Sequence, residues 1–348
     1  PVLLSLSDGD MARKYEEHGI QRIGLPFNEN ALRDGSTINK AINELSLLVD
    51  KVNPDAVFIN TILGYPVVHA AAKSGVPVVW IIRESQSMEF WEEYLGDRTT
   101  LVLDAFNYVS RVVFVSRSTR ELWLSRVNIQ NSEVIPNALN KNAFEERFSE
   151  NDKIAWRKKW GIPDKAIVFL CVGTIHERKG QMDLVEAMAT FGETEERIVM
   201  VCVGDVGGLY SHELKERTAS LSVELQKKLF FIVRQDNVGD AYNAADVFVC
   251  CSRNESYPRV TLEAMECGLP IISTPVHGLS AQLKFGVNAL EYSPGDIDQL
   301  CQNVQFFAGD EKLRKSYGEA SKVRVSKLSS FYQMIKSYRE AFNNIMRD

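Results

Sequence analysis

The stretch Cys250-Cys251-Ser252-Arg253-Asn254-Glu255-Ser256-Tyr257-Pro258-Arg259-Val260-Thr261-Leu262-Glu263-Ala264-Met265-Glu266-Cys267-Gly268-Leu269-Pro270 decides how this chain is read. An apolar run ending near Cys251 suits a buried strand. A short polar loop carries Glu255, Pro258 suits a helix N-terminus, and Gly268 is a stop signal. Strand, loop and helix in that order make the repeating unit of a parallel α/β sheet. The amides of Arg259, Val260 and Thr261 lack intrahelical acceptors and lie at the positive end of the helix dipole, an arrangement that suits a diphosphate. Glu263 is placed to accept hydrogen bonds from ribose hydroxyls. Glu255, on the loop, reaches a sugar attached beyond the diphosphate, and Tyr257 joins the donor-side candidates. Read alone, Glu255 and Glu263 suit equally well two ordinary acids that complement a helix start.

Upstream, Val172-Gly173-Thr174-Ile175-His176-Glu177-Arg178-Lys179-Gly180 follows another apolar run and precedes a helical pattern over 181–189. Arg178 and Lys179 at that helix entrance would neutralise the same diphosphate, with Gly173 and Thr174 lining it. Alone, the pair suits a solvated basic loop equally well.

Outward from these segments, short apolar runs alternate with longer amphipathic stretches. The pattern predicts strands at 2–7, 21–24, 56–60, 78–82, 111–115 and 133–135, then a second series at 166–172, 198–203, 229–233, 247–251, 270–273 and 289–291. Helices are expected between them, among them 100–108, 210–228 and 279–285, with a final helical stretch over 311–348. Residues 137–164 read as a connection with helical content and no strand. The expected architecture is α/β, with two facing, doubly wound, Rossmann-like domains: 1–140 on the acceptor side and 145–325 holding the donor. A terminal helix within 329–348 should cross back onto the first domain, because Phe331, Ile335, Tyr338, Phe342 and Ile345 form one apolar stripe. Such sheets bind ligands outside the carboxyl ends of their strands, which places the expected site in the cleft between the domains.

Composition narrows the function classes. The chain has 348 residues, 45% hydrophobic and 25% charged, which suits a globular protein with ample core. Its formal charge of −6 excludes a surface built to track nucleic acid. The six cysteines form no C-x-x-C pair and sit mostly in apolar runs, as buried free thiols of a reducing cytoplasm do. No apolar run approaches the ~18 residues of a membrane span. The chain opens on Pro1 rather than Met, which reads as a fragment or a processed chain.

The two charged segments together resemble the retaining glycosyltransferases of family 4, which have the GT-B fold. Glu255 and Glu263 reproduce that family's E-x7-E spacing, Glu263-Ala264-Met265 with Gly268-Leu269-Pro270 its "EAMA-G-P" run, and Gly173 to Gly180 its "G…KG" loop. Further matches are Val134-Ile135-Pro136-Asn137, Tyr242-Asn243-Ala244-Ala245-Asp246-Val247-Phe248, Gly286-Val287-Asn288-Ala289 and Pro294-Gly295-Asp296. The resemblance implies transfer of a hexose-type sugar from a nucleoside diphosphate sugar, UDP or GDP type, with retained anomeric configuration and no metal or other cofactor. Glu255, Lys179 and Arg178 take the catalytic positions, and Glu263, Arg259, Val260, Thr261, Gly173, Thr174 and Tyr257 bind the donor. The implied acceptor is a glycan or lipid-linked glycan of the cell envelope, met by a cytoplasmic enzyme peripheral to the membrane. The alternative is a non-catalytic GT-B module that binds a nucleotide or glycan within a larger protein.

The departures from the family pattern are specific. Its first strand and glycine-rich loop would precede Pro1. Thr174 stands where many members have Arg, and Ala281 where an acid is common. Arg83, followed by Glu84, stands where many have His. A guanidinium stays protonated and cannot act as a base, so Arg83 and Glu84 become acceptor-side candidates that suit an anionic group.

Other signals lead elsewhere. Asp8-Gly9-Asp10 and Asp296-Ile297-Asp298 spell D-x-D, but both precede helices, where Asp caps free amides. His18, His69, His176, His212 and His277 lack zinc spacing; His176 and His277 are read as loop residues. Val203 to Gly208 lacks the full dinucleotide glycine pattern. Trp156-Arg157-Lys158-Lys159-Trp160 reads as a solvated linker helix in preference to a membrane contact.

Overall fold

The computed structural model describes residues 1–5, 10–25, 37–140, 150–192, 195–235 and 237–347, with the side chains of 10–12 left aside. The chain divides into two compact units, Pro1–Ile135 together with Ser337–Asp348, and Pro136–Lys336.

In the first unit β1 (Val2–Ser5) and β2 (Gln21–Gly24) pair in parallel. A separate parallel sheet runs β3 (Val57–Asn60), β4 (Val78–Ile82), β5 (Arg111–Phe114), β6 (Ser132–Val134) in chain order. Every residue of β4 is buried, as a strand covered on both faces requires. Its Trp80 packs on Phe106, which packs on Trp123, in the core of this unit. The terminal helix Phe331–Ile345 sends its second half to this unit. There Ala341 and Ile345 are buried, and Phe342 stacks on Phe58 with centroids 5.8 Å apart. The start of the stripe, Phe331 and Ile335, stays partly exposed.

The second unit holds β7 (Ile167–Val172), β8 (Ile198–Asp205), β9 (Leu229–Val233), β10 (Val247–Cys250), β11 (Ile271–Ser273) and β12 (Ala289–Glu291). Their order across the sheet is β12-β11-β10-β7-β8-β9, all parallel. Numbered within the unit this is 3-2-1-4-5-6 read from the β9 edge, the order of a dinucleotide-binding fold. Its direction of winding reverses between β7 and β10, the switch point at which such sheets bind ligands.

Several elements differ from the sequence reading. Residues 210–228 form two helices, Leu209–Ala219 and Val223–Gln226, separated by Ser220, Leu221 and Ser222. The stretch expected over 279–285 is the shorter Gly278–Gln282, and 100–108 is Thr99–Ala105 followed by a tighter turn at Phe106–Tyr108. Sequence analysis assigned no helix to Met88–Leu95, which Ser87 caps by accepting from the Phe90 N–H. The helix Glu150–Trp160 is solvated along most of its length, with Trp156 packed and, beyond the sequence reading, Arg157 buried as well. The Arg157 guanidinium is buried and donates to the carbonyls of Ala244, Asp164 and Ala166 and to Asp246. That strut commits Arg157 to packing within the second unit. Asp296 caps Ile297–Gly309 through the Gln299 N–H at 3.0 Å; Asp8 lies outside the described residues. Five of the six cysteines are buried and all are free thiols.

Candidate active site

The loops that leave β7 and β10 at the switch point are the two charged segments. Backbone contact joins them: the Arg253 N–H donates to the Arg178 carbonyl at 2.7 Å. Gly180 permits the approach. Its φ is +66°, and a Cβ there would stand 2.2 Å from the Cys251 carbonyl oxygen. No other residue type fits that position without moving backbone. His176 is exposed and caps its own loop, its Nδ1 accepting from the Arg178 N–H at 3.1 Å.

Three donors converge on Oε1 of the buried Glu255. Lys179 Nζ makes a short contact, Arg178 Nη1 lies at 3.4 Å, and the Ser252 hydroxyl donates at 3.0 Å. Arg178 Nη1 also donates to the Asn254 carbonyl at 2.8 Å. A carboxylate with 7% exposure thus holds two cations in place, and both cations keep some exposure. Charged hydrogen bonds with fixed geometry are the strong ones, and cations already oriented need little reorganisation when an anion arrives.

The helix Arg259–Glu266 begins after Pro258. Arg259 is exposed and Val260 half-buried. Thr261 is fully buried, and its hydroxyl finds no hydrogen-bond partner among the described residues. Tyr242 donates its hydroxyl to Glu263 Oε2 at 2.9 Å and to the Val260 carbonyl at 3.2 Å. Burial pushes the Glu263 carboxyl above the usual carboxylate range, against the Tyr242 hydrogen bond and nearby Arg259. The Tyr257 side chain is buried, and its carbonyl accepts from Asn137 Nδ2 at 2.8 Å. Tyr257 is therefore part of the packing under the loop. Gly173 has φ +147°, and a Cβ there would stand 3.7 Å from Lys179 Cε; Thr174 is exposed, its carbonyl taking the Gln181 amide at 3.1 Å.

A brace that sequence reasoning passed over lies behind these residues. Arg253 makes a two-pronged ion pair with Asp183, at 2.6 and 2.5 Å, and Tyr292 donates to the same carboxylate at 3.0 Å. It ties the loop after β10 to the helix Met182–Phe191 and to the segment after β12. An arginine beside Glu255 and an aspartate just after Gly180 were the available signals.

In the first unit, Arg83 and Glu84 follow β4. Arg83 Nε donates to Asn60 Oδ1 at 2.6 Å. Glu84 Oε2 accepts from the backbone N–H groups of Ile62 at 3.1 Å and Arg83 at 2.9 Å. Burial raises the Glu84 carboxyl above its ordinary value in spite of these bonds. The Tyr338 hydroxyl is buried with no hydrogen-bond partner among the described residues.

Residues 2–142 match the family model described as Glycosyltransferase Family 4, and residues 152–324 the model described as Glycosyl transferases group 1. N-acetyl-alpha-D-glucosaminyl L-malate synthase of Bacillus anthracis is 26% identical over 208 residues, 60% of this chain and 53% of that protein. The chain spans about half the length of the curated relatives it matches. Among solved structures, Anabaena Alr3699/HepE in complex with UDP-glucose superposes with TM-score 0.85 at 19% identity, covering 99% of this chain and 91% of that one. Sucrose-phosphate synthase from Thermosynechococcus elongatus gives 0.78 at 20% identity, with coverage of 93% and 84%. Two family models matched in sequence along the chain, and neighbours of one fold over nearly all of it, establish that the chain belongs to the family 4 glycosyltransferases and has the GT-B fold.

Proposed function

We propose that the protein transfers a hexose-type sugar from a UDP- or GDP-sugar to a glycan or lipid-linked acceptor, with retention at the anomeric carbon. The observation that carries this reading is the meeting of Lys179 and Arg178 on Glu255 at the switch point. As the sugar–phosphate bond breaks, charge grows on the leaving diphosphate. Two fixed cations and the amides at the start of Arg259–Glu266 would stabilise it, so the reading needs no metal. Glu255, whose Oε1 gathers the three donors, would accept a hydroxyl of the transferred sugar on Oε2. Glu263, held by Tyr242, takes the ribose.

The similar HepE structure was solved with UDP-glucose, which supports a nucleotide-sugar donor here. The names of the relatives, synthases of glycosylated products, support transfer as the outcome. Among the described residues no helix is long and apolar enough to cross a membrane. A cytoplasmic enzyme that meets its envelope acceptor at the membrane surface fits that observation. Arg83 is the feature that favours the second reading, a nucleotide- or glycan-binding module without turnover, because a guanidinium held on Asn60 supplies no base. Donor hydrolysis and transfer assays with UDP- and GDP-sugars separate the two. Slow hydrolysis or transfer is expected, and nucleotide binding with no turnover over a broad acceptor panel would favour the module. Glu263→Ala should weaken nucleotide binding by about 1–3 kcal/mol, read by titration calorimetry.

A further inference from the structure

Among the described residues outside glycine, Asn53, Thr61 and His277 have positive φ. Asn53, at φ 46° and ψ 58°, caps a helix in the left-handed conformation that asparagine tolerates. Thr61, at φ 74° and ψ 155°, has its N–H on the Ile81 carbonyl and its own carbonyl on the Trp80 indole N–H. His277 is different. At φ 42° and ψ −114° it occupies the first central position of a turn closed by Leu279 N–H to the Val276 carbonyl at 3.0 Å, a position that glycine ordinarily takes. The turn cannot relax. Gly278 donates its N–H to the Glu255 carbonyl at 3.0 Å, and a Cβ on Gly278 would stand 1.5 Å from the Ser256 carbonyl oxygen.

The imidazole at this strained position is half-buried beside the candidate donor site. Its Nε2 lies 3.4 Å from Asn254 Nδ2, and the Asn254 carbonyl receives the Arg178 guanidinium. Strain at a non-glycine residue persists where the surroundings enforce it, and it clusters where a side chain is used. We propose that His277 is a specificity-determining residue that hydrogen-bonds a hydroxyl of the donor's sugar, next to Glu255 and Asn254. The inference rests on the donor-site reading above and assigns the sugar end of that site. Burial lowers the His277 pKa and favours the neutral ring. A neutral imidazole offers one donor and one acceptor, which matches a hydroxyl better than a phosphate.

The test compares wild type, His277→Gly and His277→Asn by calorimetric titration with UDP, UDP-glucose, GDP and GDP-mannose, and by melting without ligand. Glycine should raise the melting temperature by releasing the turn. It should leave nucleoside diphosphate affinity within about twofold and weaken the matching sugar nucleotide about tenfold, the effect of one lost hydrogen bond. Asparagine, which tolerates positive φ and keeps a polar tip, should recover part of that loss. Equal affinities for sugar nucleotide in wild type and His277→Gly overturn the proposal, as does a matched loss for nucleotide and sugar nucleotide or a melting temperature that fails to rise. If wild type itself binds no nucleotide, the donor-site reading falls and the proposal with it; if both proteins bind all four ligands alike, only the role of His277 falls.

Discussion

In the second unit, donors from two loops meet on one oxygen of Glu255, while in the first unit Glu84 accepts from the backbone N–H groups of Arg83 and Ile62. Both acids follow or adjoin parallel strands, and both stand near a strained non-glycine residue, Thr61 or His277. What differs is the partner. Glu255 is surrounded by cations that a phosphate can share. Glu84 holds up a corner of its own chain, and its burial disfavours the charge that an ionic role would need. Two carboxylates in similar topological places thus carry different work: one organises a charge cluster, the other fixes the backbone beneath Arg83.

The largest effect should come from the joint between the charged loops. Gly180→Ala would drive a Cβ into the Cys251 carbonyl, whereas Gly75→Ala in the first unit, also at positive φ, meets open space. Gly180→Ala should cost more than about 3 kcal/mol and abolish nucleotide binding; Gly75→Ala should cost about 1 kcal/mol and leave binding intact. Denaturant unfolding with calorimetry checks both, and equal costs would erase the contrast between the units.

Next in size is the brace. Asp183→Ala leaves the Arg253 guanidinium facing no carboxylate and frees the Tyr292 hydroxyl. A loss of about 2–3 kcal/mol in stability is expected, with weaker nucleotide binding because the loop carrying Glu255 loses its tie. Unchanged stability would show that the loop is held by its backbone contacts alone.

The smallest effect is expected at Glu84. A glutamine keeps an oxygen for the Ile62 and Arg83 N–H groups, so Glu84→Gln should change stability by less than about 1 kcal/mol at neutral pH. The pH dependence gives the sign. With its folded-state pKa raised, Glu84 contributes most below the ordinary value of 4.5, and that contribution is lost as pH rises through the folded pKa. The glutamine variant should therefore gain on wild type as pH rises from about 4.5 in urea unfolding. A loss relative to wild type as pH rises would mean that Glu84 is stabilised as a carboxylate.

Alternation of apolar runs with amphipathic stretches was enough to read strands such as Val78–Ile82 and Ile167–Val172, because strands buried on both faces are apolar throughout. The spacing of Glu255 and Glu263 and the pair Arg178-Lys179 marked the region of the site. The pairing that gives the site its character was not legible. Asp183 and Tyr292 are 109 residues apart, and nothing local to either announces the other. Glu255 reads as a helix-start acid until the loop after β7 is laid against it. His277 sits in a glycine turn whose φ is imposed by Gly278 on Ser256, a contact between distant segments. Met88–Leu95 escaped because it is short and its apolar residues Phe90 and Tyr94 remain exposed, so its burial pattern is weak.

The central claim is that the charge cluster of the second unit binds the diphosphate of a nucleotide sugar. Titration calorimetry of the whole chain with UDP, GDP, uridine and guanosine, for wild type and Lys179→Ala, tests it most directly. Wild type should bind UDP or GDP, and Lys179→Ala should weaken that binding about 10–100-fold, the cost of a charged hydrogen bond, while leaving the matching nucleoside unaffected. No binding of either nucleotide at millimolar concentration, or an equal loss for nucleotide and nucleoside, would contradict the account.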